Sequence, residues 1–473
     1  MAEVMRGERR GRCEAGPCPV ETRDQLAAGE RGGVQELEPG PVPGPSRRRL
    51  GRRLAAALWL IAVAPLSPGG SALHAQEACC LQQGLTVARQ YRAPGLDDRH
   101  FDHDQLWDVI APYLASDRIR FTELGHSIER RTINAVTFGT GTTTVLLWSQ
   151  MHGNESTATM ALADLINYFA TAPGTDRLLR TLDSALTITM IPMLNPDGAE
   201  RFMRENALGV DVNRDARRAA TPEGRILKHV RDSIGAEFGF NLHDQGSRTA
   251  GADGLLVGIA LLAPAADMER SWAPVRLRAR QVAAVIAGML EQEIPGRVAR
   301  YDDAFTPRAF GDLMQQWGTS TVLIESGVLP DDPHKQRLRA INVAALLSAL
   351  NAIATGEYAA AAEIEYDRLP MNRAVTNDLL LLGGRVVVGV GDPIRADIAI
   401  VYDDEPAHAG PRYGEIGDLD DVVAIDTVDV TGLYVHPRLE GGILRRGAFA
   451  DLVVRRGLDP TSDVVWRLSE GGR

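Results

Sequence analysis

Cysteine and aromatic residues are scarce in this chain, and each scarcity closes a route. Four cysteines occur in 473 residues. Cys13 and Cys18 lie in an N-terminal stretch that reads as a processing segment, which leaves the adjacent pair Cys79 and Cys80. Adjacent cysteines bond to each other only with strain. A lipid-anchor cysteine would need small or aliphatic residues before it, where this chain has Gln76-Glu77-Ala78. Beyond that pair there is no cysteine, so neither thiolate metal ligation nor cysteine catalysis is open to the body of the protein. Any metal chemistry must use nitrogen and oxygen ligands. Aromatics make up 5%, and arginine greatly outnumbers lysine; both fit an Ala- and Arg-rich genome better than any particular function. Hydrophobic content of 44% is ordinary for a chain with a sizeable core. Net charge is −11, and the first 75 residues hold 11 Arg against 8 acids, so the remainder carries about −14. An acidic body argues against nucleic acid or anionic lipid as the main partner.

The N-terminal segment reads as an address. Residues 1–45 are rich in Gly, Pro, Glu and Arg without periodicity and are expected to be disordered. Arg47-Arg48-Arg49 and Arg52-Arg53 then precede the 13-residue apolar stretch Leu54 to Leu66, followed by small residues up to Ala75. That order reads as a secretory signal, short for a stable membrane span, with a transmembrane anchor as the alternative reading. Ser46-Arg47-Arg48-Arg49-Leu50 also resembles a twin-arginine signal. The expectation is an extension over 1–45 from a misassigned start, a signal peptide over 46–75, and an exported protein, periplasmic or extracellular, beginning near Gln76.

What the body does contain is a set of apolar runs, each ending in a chemically capable residue. Thr142 to Leu147 leads into His152-Gly153-Asn154-Glu155, and an apolar-periodic segment follows. This predicts a buried strand, a turn and a helix opening at Glu155. An imidazole and a carboxylate three residues apart can aim at one point, and both are ligand types that zinc accepts. Alone, such a pair is also what a polar helix start looks like. Further on, Leu186 to Met193 ends in Asn195-Pro196-Asp197-Gly198, Phe238 to Leu242 in His243-Asp244, and Ser320 to Ile324 in Glu325-Ser326. In an open α/β sheet, ligands bind at that end of the strands.

Together these motifs resemble the zinc metallocarboxypeptidases. The resemblance rests on the H-x-x-E of His152 and Glu155, on N-P-D-G at Asn195 to Gly198, and on Arg204 nine residues before Asn213-Arg214. His243 after a strand and the strand-terminal Glu325 complete it. It runs roughly from Phe101 to Thr355. It implies one zinc held by His152, Glu155 and His243, with Glu325 as general base and Arg204 stabilising the oxyanion. Asn213 and Arg214 would clamp a substrate's terminal carboxylate, a task suited to a planar guanidinium. Asp211 would orient a zinc-bound imidazole, His152, although an Asp there is also ordinary turn chemistry. Asn195 to Gly198 would shape a loop. Members of the pancreatic type place a mobile tyrosine about twenty residues before the glutamate. Here the stretch reads Phe305 to Asp312, and Tyr301 lies slightly too far upstream to assign.

Alternating β-rich and helical patterns over 76–358 predict a mixed, mostly parallel sheet flanked by helices. Closely spaced β runs over 365–473 predict a small all-β domain. His408 and His436 there lack metal-ligand spacing and read as surface residues. The function implied is a secreted zinc carboxypeptidase acting on peptides, without a nucleic-acid partner. A zinc-dependent deacylase or cell-wall peptide amidase, and a non-catalytic peptide- or glycan-binding protein, are the alternatives.

Overall fold

A computed structural model describes residues 81–473 apart from 247, 251–254, 375–376, 390, 404–409, 423, 439–443 and 469–473. The N-terminal address, all four cysteines and His408 lie outside the described residues.

The main sheet has eight strands: β1 (Ile119–His126), β2 (Thr132–Phe138), β3 (Thr143–Trp148), β4 (Leu186–Ile191), β5 (Phe238–Asp244), β8 (Ile259–Leu262), β9 (Val298–Arg300) and β10 (Ser320–Ser326). Their order is β1-β2-β4-β3-β5-β10-β8-β9. The central four, β4-β3-β5-β10, run parallel, while β1–β2, β2–β4 and β10–β8 pair antiparallel. Parallel strands need both faces covered, which is why they read as near-continuous apolar runs. All seven residues of β5 are buried. The sheet is mixed with a parallel centre, as the patterning implies.

Helices cover it. Thr157–Thr171, Pro222–Ile234, Pro274–Glu293 and Gln336–Thr355 fall within a few residues of the periodic segments. The Pro222–Ile234 helix shows the local logic: Thr221 Oγ1 accepts from Gly224 N at 3.0 Å, Pro222 opens it, and Gly235 at φ +60° closes it. Among the described residues, Gln336–Thr355 is the one helix long and apolar enough to cross a membrane, and it is packed inside the protein.

One boundary differs from expectation. The helix after β3 opens at Thr157, not at Glu155. Glu155 instead closes a turn, its N–H donating to His152 O at 3.1 Å. Its carboxylate is held by two imidazoles and the backbone N–H of Asp244, contacts that draw it back toward the sheet. The short helices Arg177–Ala185, Pro196–Glu200 and Phe310–Gln316 lack enough turns to show as periodicity.

Among the described residues from Met371 on, the C-terminal region carries strands and no helix, most of them in two sheets. One is β16-β15-β12-β17, built from Gly410–Gly417, Asp397–Asp403, Asn377–Leu382 and Ala424–Asp429. The other is β14-β13-β18-β19-β20, from Ile394–Arg395, Arg385–Val386, Tyr434–Pro437, Leu452–Arg455 and Val464–Arg467. Leu381, Val386, Ile398, Ile400, Leu452 and Val454 form its core. These sheets and the main sheet fall in one compact unit. The strand β11 (Asn372–Ala374) leaves the C-terminal region to pair with β6 (Arg248–Ala250), which also pairs with β7 (Leu255–Leu256).

Candidate metal centre

Three parallel strands deliver the site. β3 ends just before the turn carrying His152 and Glu155, β5 carries His243, and β10 carries Glu325. The turn is tight: a Cβ at Gly153 would lie 1.9 Å from the carbonyl carbon of Gly198, so only glycine fits against that backbone. Asn195 shapes the facing segment, its Oδ1 accepting from Gly198 N at 2.9 Å. Asp197 is buried, accepting from Ser127 Oγ at 2.7 Å and pairing with Arg131 at 2.8 Å. The N-P-D-G segment is thus structural, a short capped helix where the sequence suggested a loop.

The two imidazoles converge on one carboxylate. His152 Nδ1 lies 2.8 Å from Glu155 Oε1, and His243 Nδ1 lies 2.7 Å from Glu155 Oε2. The ligand-capable atoms of these three buried residues all lie within 4.8 Å of one another. The remaining imidazole nitrogens also have neighbours. His152 Nε2 is 3.1 Å from Asp211 Oδ1, and His243 Nε2 is 3.4 Å from Asn213 Nδ2. A carboxylate on the far nitrogen fixes an imidazole's tautomer and ring orientation. Two nitrogens and a carboxylate oxygen, oriented from behind and converging, are a donor set that fits zinc.

Charge around the centre is organised. Burial works to raise the Glu155 carboxyl, but the charges and hydrogen bonds of His152 and His243 pull it well below the usual carboxylate range. Burial works to lower His152, yet Glu155 and Asp211 push it up to about 9. His243 is lowered, with burial the main cause, which favours the neutral imidazole a metal requires. Arg204 bridges the acids: its Nη1 donates to Glu155 Oε1 at 3.3 Å, and its Nε and Nη2 to Asp211 Oδ2 at 3.1 and 3.0 Å.

Glu325 sits in register with His243 on the adjacent strand. Burial, then the charge of Glu155, raises its carboxyl well above the usual range. Among the described residues it forms no hydrogen bond or ion pair, so a structural salt bridge does not account for it. Asn213 is pinned by its Oδ1, which accepts from Phe310 N at 2.9 Å. Arg214 is exposed to the same cleft; its Nη1 donates to Asn213 O at 2.8 Å, and no described carboxylate pairs with it. All eight sequence-nominated site residues therefore gather around one opening, with Asp211 held behind His152.

Residues 113–245 match the zinc carboxypeptidase family. That family is zinc-dependent, and the chain's α/β fold is zinc carboxypeptidase-like. A protein from Zymomonas mobilis is 26% identical over 157 residues, 32% of this chain and 39% of its own length. The chain thus spans about two fifths of that curated relative. A metallo-carboxypeptidase from Burkholderia cenocepacia aligns over 54% of this chain and 70% of its own, at 21% identity and a TM-score of 0.44. A metallo-carboxypeptidase from Pseudomonas aeruginosa, solved with (2-guanidinoethylmercapto)succinic acid, aligns over 54% and 70% at 17% identity and a TM-score of 0.42.

Three residues near the zinc carboxypeptidase-like centre had no role in the sequence reading. Asp244 is buried and accepts from Thr157 Oγ1 at 2.7 Å, and it pairs with the buried Lys335 at 3.2 Å. Lys335 Nζ also donates to Ser326 O at 3.2 Å. This bracket joins the residues immediately after His243 and Glu325 to one two positions after Glu155. A signal was present: the chain has only two lysines among 51 basic residues, and one of them is here. Asp312 lines the cleft, its Oδ1 accepting from Thr306 N at 2.8 Å. Burial pushes its carboxyl up to about 6. Tyr301 lines the cleft as well. In the C-terminal region, His436 Nε2 lies 3.1 Å from Gly457 O and belongs to no ligand group among the described residues.

Proposed function

We propose that this protein is a secreted zinc metallocarboxypeptidase that hydrolyses the C-terminal peptide bond of peptides. One observation carries the reading: a converging His152–Glu155–His243 donor set shares a cleft with an unpaired glutamate and an unpaired arginine. When bound, zinc would polarise the scissile carbonyl and lower the pKa of a coordinated water toward neutrality.

The chain's own residues supply the rest. Arg214 meets the substrate's terminal carboxylate with two parallel N–H bonds, and Asn213 lies beside it. Glu325 takes the water's proton and passes it to the leaving amine; a carboxyl raised by burial suits that exchange. Arg204 turns part of its guanidinium toward the developing oxyanion, where a fixed donor is worth most. Asp211 keeps His152 oriented through the cycle. Export is proposed on the signal-like segment before Gln76 alone.

The carboxylate clamp would equally suit an N-acyl amino acid or a cell-wall peptide, so the products decide. Zinc-loaded protein incubated with a mixed peptide library should release single residues from the free C-terminus, read by mass spectrometry. Cleavage within the chains, or release of acyl groups only, would replace the carboxypeptidase reading.

A further inference from the structure

The cleft does not end on the catalytic sheet. Its volume is about 1300 Å³, beyond the roughly 300–1000 Å³ usual for a small-molecule site. Part of its wall comes from the C-terminal strands: Leu379 of β12, Val401 of β15, Ile425 and Val428 of β17, and Trp466 of β20. These strands belong to both C-terminal sheets. Asp378, Tyr402, Asp426 and Arg467 line the cleft too, beside these apolar and aromatic side chains. Leu379 sits in the C-terminal apolar core and Val428 and Trp466 pack against it, while Val401 and Ile425 lie outside both C-terminal clusters. All of them border the same open space as the metal ligands.

The backbone holds this wall in place. Segment 370–372 is tied to catalytic elements on two sides. Arg300 N donates to Pro370 O at 2.8 Å, next to Tyr301 and Asp302, which line the cleft. Asn372 pairs with Ala250, and its Nδ2 donates to Gln245 Oε1 at 2.7 Å. Gln245 stands two residues after His243. The chain therefore enters its C-terminal region at the mouth of the site, anchored to segments that themselves form the mouth.

Resting on the carboxypeptidase reading, we propose that the C-terminal β region is part of the substrate site. It receives an apolar or aromatic segment of the peptide beyond the reacting amide, so the enzyme selects extended apolar peptides over short ones. Continuity of the cavity names the occupant: whatever projects from the metal centre along the cleft meets this wall. An apolar side chain buried there leaves water, and that gain appears as tighter binding of long substrates.

The test compares two free-acid substrates that share one C-terminal residue, a blocked dipeptide and a hexapeptide with Phe and Leu in its N-terminal half. Full-length zinc-loaded enzyme should show a kcat/KM about tenfold or more higher for the hexapeptide. Trp466→Ala should erase most of that preference through KM, leaving the dipeptide within about twofold of wild type. Trp466 packs on the β core, so Ile425→Ser, outside both C-terminal apolar clusters, is the second probe and should act in the same direction. Variants that keep the preference, or that lose both substrates equally while remaining folded by circular dichroism, overturn the inference. A wild type that cuts both substrates equally well overturns it alone. A wild type that cuts neither overturns the carboxypeptidase reading and this inference with it.

Discussion

Glu325 and His243 are register partners on the parallel strands β10 and β5. Opposed residues on neighbouring strands project to the same face of a sheet, so a candidate base stands directly beside a candidate ligand. Neither side chain reached this position through a flexible loop. The pairing of two buried strands sets their spacing, the kind of rigid support that catalytic geometry needs.

Glu325→Gln keeps the shape and removes the proton acceptor. Turnover should fall by roughly 10²–10⁴-fold, the range for losing a general base, with zinc content unchanged by metal analysis. Near-normal turnover would make the glutamate structural.

His243→Ala leaves Glu155 and His152 without their third partner. Two ligands do not hold a catalytic zinc geometry, so bound zinc should fall well below one per chain and chelator-sensitive hydrolysis should vanish. Unchanged stoichiometry and affinity in the variant would remove His243 from the metal centre.

Lys335→Met breaks a buried ion pair on one side only. Asp244 would remain buried beside His243 without its cation, a change that costs about 3–5 kcal/mol. The urea midpoint should drop accordingly, and kcat should fall because the residues behind His243 and Glu325 lose their common tie. Lys335→Arg should keep less than the wild-type kcat, since a planar guanidinium does not reproduce the ammonium's paired contacts to Asp244 and Ser326 O. Full activity in Lys335→Met would show that the bracket is dispensable.

Asp312 sets a pH dependence of stability. Its carboxyl is pushed from an ordinary 3.8 up to about 6 in the folded protein, so folding favours its protonated form. That contribution is fully present below about pH 4 and is lost as pH rises through about 6. Asp312→Asn can still accept the Thr306 N–H and carries no titratable proton. Relative to wild type, the variant should therefore gain roughly 2–3 kcal/mol between pH 4 and pH 7. Unfolding free energies at the two pH values that differ by a constant offset would contradict this.

Much of the fold was legible because its central strands are buried on both faces and so read as unbroken apolar runs. The residues at their ends stood out for the same reason: a polar side chain after such a run has little structural excuse. In the bracket of Thr157, Asp244 and Lys335, Asp244 ended an apolar run and Lys335 was one of two lysines, but nothing in the sequence joined them. Its members are 87 and 91 residues apart along the chain, and they meet because the starts of the helices Thr157–Thr171 and Gln336–Thr355 both come to the end of β5. Asp312 was hidden in a seven-residue helix too short for periodicity. The opening of the first crossover helix was misplaced by two residues, because contacts from His152, His243 and Asp244 to Glu155 outweigh the helix-start pattern. The C-terminal strands were visible as short β runs, while their place on the rim of the cleft depends on the β6–β11 pairing between segments far apart in sequence.

The central claim is exo-acting hydrolysis directed by a terminal carboxylate, and one comparison tests it most directly. A peptide and its C-terminal carboxamide twin are offered to the zinc-loaded wild type and to Arg214→Ala, with products read by mass spectrometry. The wild type should trim the free acid one residue at a time and leave the amide nearly untouched, because a bidentate charged contact has no neutral replacement. Arg214→Ala should lose most of that discrimination, a change of a few kcal/mol for deleting one partner of a charged pair. Equal wild-type cleavage of both twins, or products cut within the chain, would contradict the account.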